Sequence, residues 1–345
     1  MWGLKRHNPA VRTMLLQWHV TERCNLRCAH CYQSPDRVPE LPFDDLLKVL
    51  NQFIELLDRF NPPARGHVTL TGGEPFLRPD FLRLLETVAA LKPRICFAVL
   101  TNGSLVDEEM AWRLAKLGPG FVQVSLDGVQ STHDAVRGEG NFERTVEAAR
   151  NLSRARIPTY ISFTAHRGNY REFPEVVRIG RKAGATRVWA DRLVPIGACQ
   201  LETLTKDETR AFVHIMRESR EEAHRGWFSN TQVPMHRALQ FLDGGWPYHC
   251  TAGDTLITVE PNGDVCPCRR MPSLVGNVFE RPLAEIYFES PLLTALRDRG
   301  RICEGCESCE HEPKCRGGLR CLSAAVTGNP LTADPGCWLT DPYKG

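Results

Sequence analysis

No stretch of this chain stays apolar for long enough to cross a bilayer. The opening residues, MWGLKRHNPAVRTMLLQW, lack the long apolar core and small-residue cleavage site of a secretory signal. Charge of one sign is missing too: 43 Lys and Arg against 41 Asp and Glu leave a formal charge of +2. Such a balance offers no field for nucleic acid or for an anionic membrane surface. These absences together lead us to expect a cytoplasmic protein. They also bear on the 14 cysteines, nine of which fall between Cys250 and Cys337. Disulfides are unusual in a reducing compartment, so clustered thiols without a secretion signal favour metal ligation over a disulfide framework. The remaining composition, 42% hydrophobic and 24% charged over 345 residues, suits a barrel-sized domain plus a smaller one.

The informative stretch is WHVTERCNLRCAHCYQ, which holds Cys24, Cys28 and Cys31 in the spacing C-x3-C-x2-C directly after the apolar run Leu15 to Val20. Iron–sulfur cubanes are normally tied by four thiolates. A loop supplying three leaves one iron without a protein ligand, and an open coordination position on a metal marks a reactive site. The other reading of three close cysteines is a zinc knuckle or three unrelated thiols. With His30 before the last cysteine, the loop resembles the signature of the radical SAM enzymes. That resemblance implies an open iron chelated by the amino and carboxylate groups of S-adenosylmethionine. It also implies an electron transfer that cleaves this cofactor to a 5′-deoxyadenosyl radical, which takes hydrogen from the substrate.

Strand-like and helix-like segments alternate from residue 15 to about 195. Short runs rich in β-branched and aromatic residues predict strands at 15–21, 67–73, 95–103, 121–128, 159–165 and 187–195. Apolar residues at three- and four-residue steps predict helices at 43–59, 80–91, 107–117, 142–155 and 170–183. Regular βα alternation predicts an α/β fold with a parallel sheet. Six units are too few for an eight-stranded barrel, so a partial (β/α)6 TIM-like barrel is expected, which is also the core fold of the family the loop resembles. The expected domains are this core at 12–204, a polar helical connector at 205–247, and a small cysteine-rich domain at 248–340. The connector comprises KDETRAFVHIMRESREEAHRG and then VPMHRALQFLDGG, with His214, His224 and His236 as surface or interface residues. Cys96, inside a strand, is expected in the core.

In parallel β/α folds, sites gather where strands end and helices begin. At the second strand end stands Gly72-Gly73-Glu74-Pro75, two glycines letting the backbone come close to a ligand and a carboxylate able to accept from an ammonium group. It resembles the family motif that holds the amino group of S-adenosylmethionine. Asn102, in Thr101-Asn102-Gly103, lies at the third end, near where family members keep the cofactor. Ser125 opens SLDG at the fourth end, followed by HDAVRG. The resemblance carries a ribose contact to Ser125 and a pairing with the cofactor carboxylate to Arg137, whose alternative is a solvent-facing charge. Asp127 and His133 are expected to order the loop. After the sixth strand, Arg192 and the turn Val194 to Gly197 close the set.

From His249 onward the cysteines take over. DTLITVEPNGDVCPCR reads as a hairpin with its turn at Pro261 to Asp264. The field resembles the SPASM extension of many radical SAM enzymes, which holds two auxiliary [4Fe–4S] clusters. Cys250, Gly263 and Cys268 fit the first part of its pattern; Cys306, Cys309, Cys315 and Cys337 fit the second and form a complete four-thiolate outer site. Where the family has its next cysteine this chain has Leu319, with Cys321 two positions on. The inner cluster would then need Cys250 and Cys268 plus partners from Cys321, Cys266 or Cys303. A structural zinc site is the alternative for this region on ligand chemistry.

The resemblance implies an oxidoreductase fed by a flavodoxin- or ferredoxin-type donor. Its expected substrate is a ribosomal peptide or protein side chain, with tetrapyrrole side-chain modification as the alternative and a non-catalytic zinc or iron–sulfur scaffold as the reading from another class. The short stretch before Cys24 leaves little room for an appended peptide-binding domain, so capture is expected to rely on a partner or on the barrel itself. Arg269 and Arg270 follow Cys268, where sulfatase-maturing relatives have an aspartate base. This argues against that activity, and the pair suits a carboxylate or, equally, the surface.

Overall fold

The computed structural model describes residues 13–33, 38–225 and 231–340. Residue 12, the expected start of the core, and residues 226–230 of the expected connector lie outside them. Among the described residues the strands are β1 (Thr13–His19), β2 (Arg65–Thr71), β3 (Ile95–Thr101), β4 (Phe121–Ser125), β5 (Thr159–Ala165), β6 (Arg187–Arg192), β7 (Leu256–Val259), β8 (Asp264–Cys266) and β9 (Gly276–Asn277). The helices are α1 (Phe43–Asp58), α2 (Phe81–Ala89), α3 (Glu108–Leu117), α4 (Gln130–Arg137), α5 (Asn141–Arg154), α6 (Phe173–Lys182), α7 (Lys206–His224), α8 (Leu283–Glu289), α9 (Pro291–Arg297), α10 (Glu312–Cys315) and α11 (Arg320–Thr327). The chain divides into two compact units, one of Met1–Asn25, Asp36–Leu100 and Thr251–Arg299, the other of Leu26–Pro35, Thr101–Cys250 and Gly300–Gly345.

In the first unit the strand order is β3-β2-β1-β7-β8-β9. β1, β2 and β3 are parallel, with Leu16 opposite Val68 and Val68 opposite Phe97. Met14, Leu16 and Trp18 of β1 are fully buried on one face, a period-two pattern that fixes the register. α1 packs through Leu46, Val49, Leu50, Phe53, Leu56 and Leu57, with Asp44 and Asp45 in its first turn, where the helix dipole favours them. The hairpin lies where the turn residues placed it, Val259 opposite Val265, and β7 runs parallel to β1. β9 was not foreseen; two residues are too few for any sequence period, and it is held to β8 by the Val265–Gly276 pairing.

In the second unit β4, β5 and β6 are parallel neighbours. α3 begins at Asp107, whose carboxylate accepts from Met110 N at 2.8 Å, and ends at Gly118 with φ 62°. α7 starts with a capping box between Thr205 and Glu208. The expected helix over VPMHRALQFLDGG does not form. Gln232 instead bridges to Arg187 of β6, Leu239 adopts φ 69°, and a single 3-10 turn at Gln240–Asp243 follows. The buried Gln240 side chain donates to Ala190 O at 3.2 Å, a tertiary contact that overrides the local helical pattern. His214, His224 and His236 are exposed. No helix among the described residues is long and apolar enough to cross a membrane.

Candidate functional site

In the first unit, the chain entering the cysteine loop is clamped by the GGEP turn. Gly73 N donates to Thr21 O at 2.9 Å and Glu74 N to Arg23 O at 2.8 Å. A Cβ on Gly73 would stand 2.4 Å from Arg23 O and 2.9 Å from the Cβ of Cys24, so only glycine lets the turn lie against the first cysteine. Gly72, at φ 152°, approaches Thr21 O in the same way. Gly73→Ala is therefore expected to lower stability by about 1–3 kcal/mol, read as a reduced midpoint in denaturant. Glu74 is fully buried and its carboxylate accepts from Phe76 N at 3.2 Å. A carboxylate network that sequence reading missed braces the loop: Arg23 donates to Glu40 at 3.0 and 2.9 Å, and buried Arg78 donates to Val20 O and Leu41 O. Arg269 reaches this strand end as well, its Nη1 donating to Thr71 Oγ1 at 3.4 Å.

Cys28 and Cys31 belong to the second unit, where Cys31 N donates to Cys28 O at 3.0 Å and Ala29 N to Val136 O at 2.8 Å. α4 thus carries the loop, and its last residue is Arg137. This arginine is buried rather than solvent-facing, 9% exposed. Its Nε donates to Asp127 Oδ2 at 2.6 Å and its Nη1 to Cys28 Sγ at 3.8 Å. His30 Nε2 donates to the same Asp127 oxygen at 2.7 Å. Asp127 also accepts from Thr164 N at 2.9 Å, while its own N–H donates to His133 Nδ1 at 3.1 Å. Burial works against charge on Asp127, but Arg137 and His30 outweigh it and hold the carboxyl well below the usual carboxylate range. For His133, burial and the Arg137 charge lower the ring to about 4, so it is neutral at pH 7. Asp127 is the centre of this arrangement and orders the loop through His30 and Arg137, partners its position in SLDG did not reveal.

The other strand-end residues of this unit are placed as follows. Asn102 is buried, its Oδ1 accepting from Ser104 N at 2.8 Å. Ser125 Oγ accepts from Ser162 Oγ at 3.4 Å. The VPIG turn lies against the cysteine loop: a Cβ on Gly197, at φ 64°, would meet Tyr32 O at 2.2 Å, and Gln200 N donates to Ala29 O at 2.7 Å. Arg192 is turned toward the C-terminal cysteines. Its two Nη groups donate to Asp334, and both residues are buried. Asp334 further accepts from Leu319 N at 2.8 Å and Gly336 N at 2.9 Å.

Cys306, Cys309, Cys315 and Cys337 line one cavity, together with Asp334, Phe241 and Leu239. Burial pushes the Cys306 and Cys315 thiols up to about 12, and the neighbouring cysteines add to the shift. Crowded, desolvated thiols of this kind become thiolates only beside a cation, and four soft donors fit an iron–sulfur cluster. Among the described residues no three His, Cys, Asp or Glu converge tightly enough for a single metal ion. The inner-cluster candidates are divided: Cys266 and Cys268 belong to the first unit, Cys250, Cys303 and Cys321 to the second. Cys266 donates to Glu260 Oε1 at 3.6 Å, and Cys268 to Gln17 Oε1 at 3.8 Å. Cys96 is not in the core. It is exposed, with its sulfur 3.0 Å from His67 Nδ1, because it faces away from the fully buried Ile95 and Phe97.

The radical SAM superfamily profile matches residues 18–179, and the profile of SPASM, an iron–sulfur cluster-binding domain, matches residues 250–310. A pre-heme d1 synthase of Dinoroseobacter shibae is 29% identical over 95% of this chain and 87% of its own length. A PqqA peptide cyclase of Gluconobacter oxydans is 30% identical over 96% of this chain and 91% of its own. Among solved structures, Streptococcus suis SuiB bound to S-adenosylmethionine shares the fold with a TM-score of 0.73 at 20% identity, over 97% of this chain and 79% of that one. The chain therefore belongs to the radical SAM superfamily, as an enzyme with a C-terminal SPASM iron–sulfur cluster-binding domain.

Proposed function

We propose that this radical SAM enzyme abstracts hydrogen from a peptide or protein side chain. The observation that carries the substrate class is the 30% identity with a PqqA peptide cyclase across nearly the full length of both chains. Cys24, Cys28 and Cys31 hold the first cluster, whose chemistry when bound is reductive cleavage of S-adenosylmethionine to a 5′-deoxyadenosyl radical. Buried Glu74 and the Gly72-Gly73 backbone receive the cofactor's ammonium group, since a carboxylate accepts hydrogen bonds from a cation. His30, Asn102, Ser125 and Arg137 contact or frame the rest of it, and Arg192 acts from the cluster side through Asp334. Cys306, Cys309, Cys315 and Cys337 hold a closed auxiliary cluster. The protein's task is positioning and exclusion of water and oxygen, the hard chemistry being the cofactor's. A cytoplasmic flavodoxin- or ferredoxin-type protein supplies the electron.

A second reading, tetrapyrrole modification, is favoured by the 29% identity with a pre-heme d1 synthase. Arg269 beside Thr71 would suit a propionate as well as it suits a peptide carboxylate. Porphyrin titration of the anaerobic, iron-loaded protein separates the two. The peptide reading predicts an unshifted Soret band, and a saturable shift would replace it with the tetrapyrrole reading. Metal analysis tests what both share: iron and acid-labile sulfide are expected, and zinc without sulfide would end both.

A further inference from the structure

The Arg137 guanidinium faces Asp127, Cys28 and His30, whose Nε2 lies 3.4 Å from its Nη2. Its Nε edge is fixed by Asp127 at 2.6 Å, and the Nη1 corner points at Cys28 Sγ, 3.8 Å away. The arrangement is held from several sides. Asp127 is fully buried and anchored by Thr164 N and, through its own carbonyl, by Asn169 Nδ2 at 2.9 Å. The end of α4 is fixed by Asn141 Nδ2, which donates to Arg137 O at 3.1 Å and Gly138 O at 2.9 Å. The cysteine loop is tied to the same helix by the Ala29–Val136 main-chain bond. A planar fork locked on one edge cannot turn freely, so its other corner stays aimed at the sulfur.

We propose that Arg137 donates an N–H···S hydrogen bond to the Cys28 thiolate and thereby raises the reduction potential of the cluster that Cys28 holds. The proposal rests on the radical SAM reading and adds to it a role that operates before any cofactor is bound. Hydrogen bonds to ligand sulfurs and nearby positive charge both stabilise the reduced, more negative form of a cluster. A reduced state made easier to reach lets a weaker donor load the electron. Contact with the cofactor carboxylate alone would leave the cofactor-free potential untouched, which separates the two roles.

The test is an anaerobic redox titration followed by electron paramagnetic resonance, without S-adenosylmethionine. The component followed is the one whose spectrum changes when the cofactor is added afterwards. At the potential where that component is half reduced in the wild type, Arg137→Gln is expected to show a reduced-to-oxidised ratio about tenfold lower, a shift of about 59 mV for one electron. Arg137→Lys keeps the charge but not the fork and is expected to fall in the same direction by less. If Arg137→Gln retains no iron, Arg137→Lys with full iron decides the sign. Arg150→Gln removes an exposed guanidinium that pairs with Glu147, away from the arrangement, and is expected to leave the potential unmoved. An unchanged ratio in the iron-replete arginine variants overturns the proposal, as does an equal fall in Arg150→Gln. A wild type without any cofactor-responsive component removes the radical SAM reading itself, and this role with it.

Discussion

Cys28→Ala is expected to reduce the release of 5′-deoxyadenosine by the dithionite-reduced, iron-loaded protein to background. With three thiolates available, loss of one leaves two irons without protein ligands, and a cubane is no longer held. The loss is chemical rather than structural. Cys28 is only half-buried, and the loop around it is fixed through main-chain atoms, Cys31 N to Cys28 O and Ala29 N to Val136 O. The unfolding midpoint of the metal-free variant is therefore expected to match that of the metal-free wild type, as for most substitutions away from a packed core. Cys199→Ala serves as the comparison. Its sulfur donates to Leu201 O at 3.7 Å, and the variant is expected to keep the activity. Undiminished 5′-deoxyadenosine from Cys28→Ala would remove the role assigned to this cysteine.

The second large effect is expected at Asp334. Its carboxylate pairs with Arg192 and accepts from Leu319 N and Gly336 N, all away from water. Asp334→Ala leaves a buried guanidinium without its counter-charge, which costs about 3–5 kcal/mol. It also releases the two backbone donors that shape the loops carrying Cys315 and Cys337 around their shared cavity. The variant is expected to unfold at lower denaturant and to lose one cluster's share of iron and sulfide. Pairing it with Arg192→Met removes the stranded charge, so part of the stability returns while the cluster stays absent, because Leu319 N and Gly336 N still lack an acceptor. Wild-type stability and iron content in Asp334→Ala would show that this carboxylate organises neither.

Much of this architecture could be read from spacing. The strand at Thr159–Ala165 occupies the bounds its residues suggest, and the helix seeded by Asp44 and Asp45 ends within one residue of expectation, at Asp58. The GGEP glycines stood out in the sequence as room for a ligand, whereas the structure sets Gly72 and Gly73 against the Thr21 and Arg23 carbonyls of the neighbouring chain segment. What escaped was held by contacts between distant residues. Asp127 gathers His30, Arg137 and Thr164, and Arg192 meets Asp334 across 142 positions. No local period encodes such meetings. Cys96 was misplaced because alternation says which residues share a face and not what covers that face. The apolar residues after Pro234 mimic a helix in spacing, yet Leu239, Phe241 and Leu242 line the cavity of the C-terminal cysteines, while Gln240 reaches both Met216 Sδ and Ala190 O.

The central claim, an open iron on the Cys24–Cys28–Cys31 loop, is tested most directly by adding S-adenosylmethionine to the anaerobic, dithionite-reduced protein. The account predicts that the low-temperature paramagnetic spectrum of one cluster changes on addition, and that this component is missing from Cys28→Ala while the others persist. A spectrum indifferent to the cofactor in fully iron-loaded wild-type protein would contradict it.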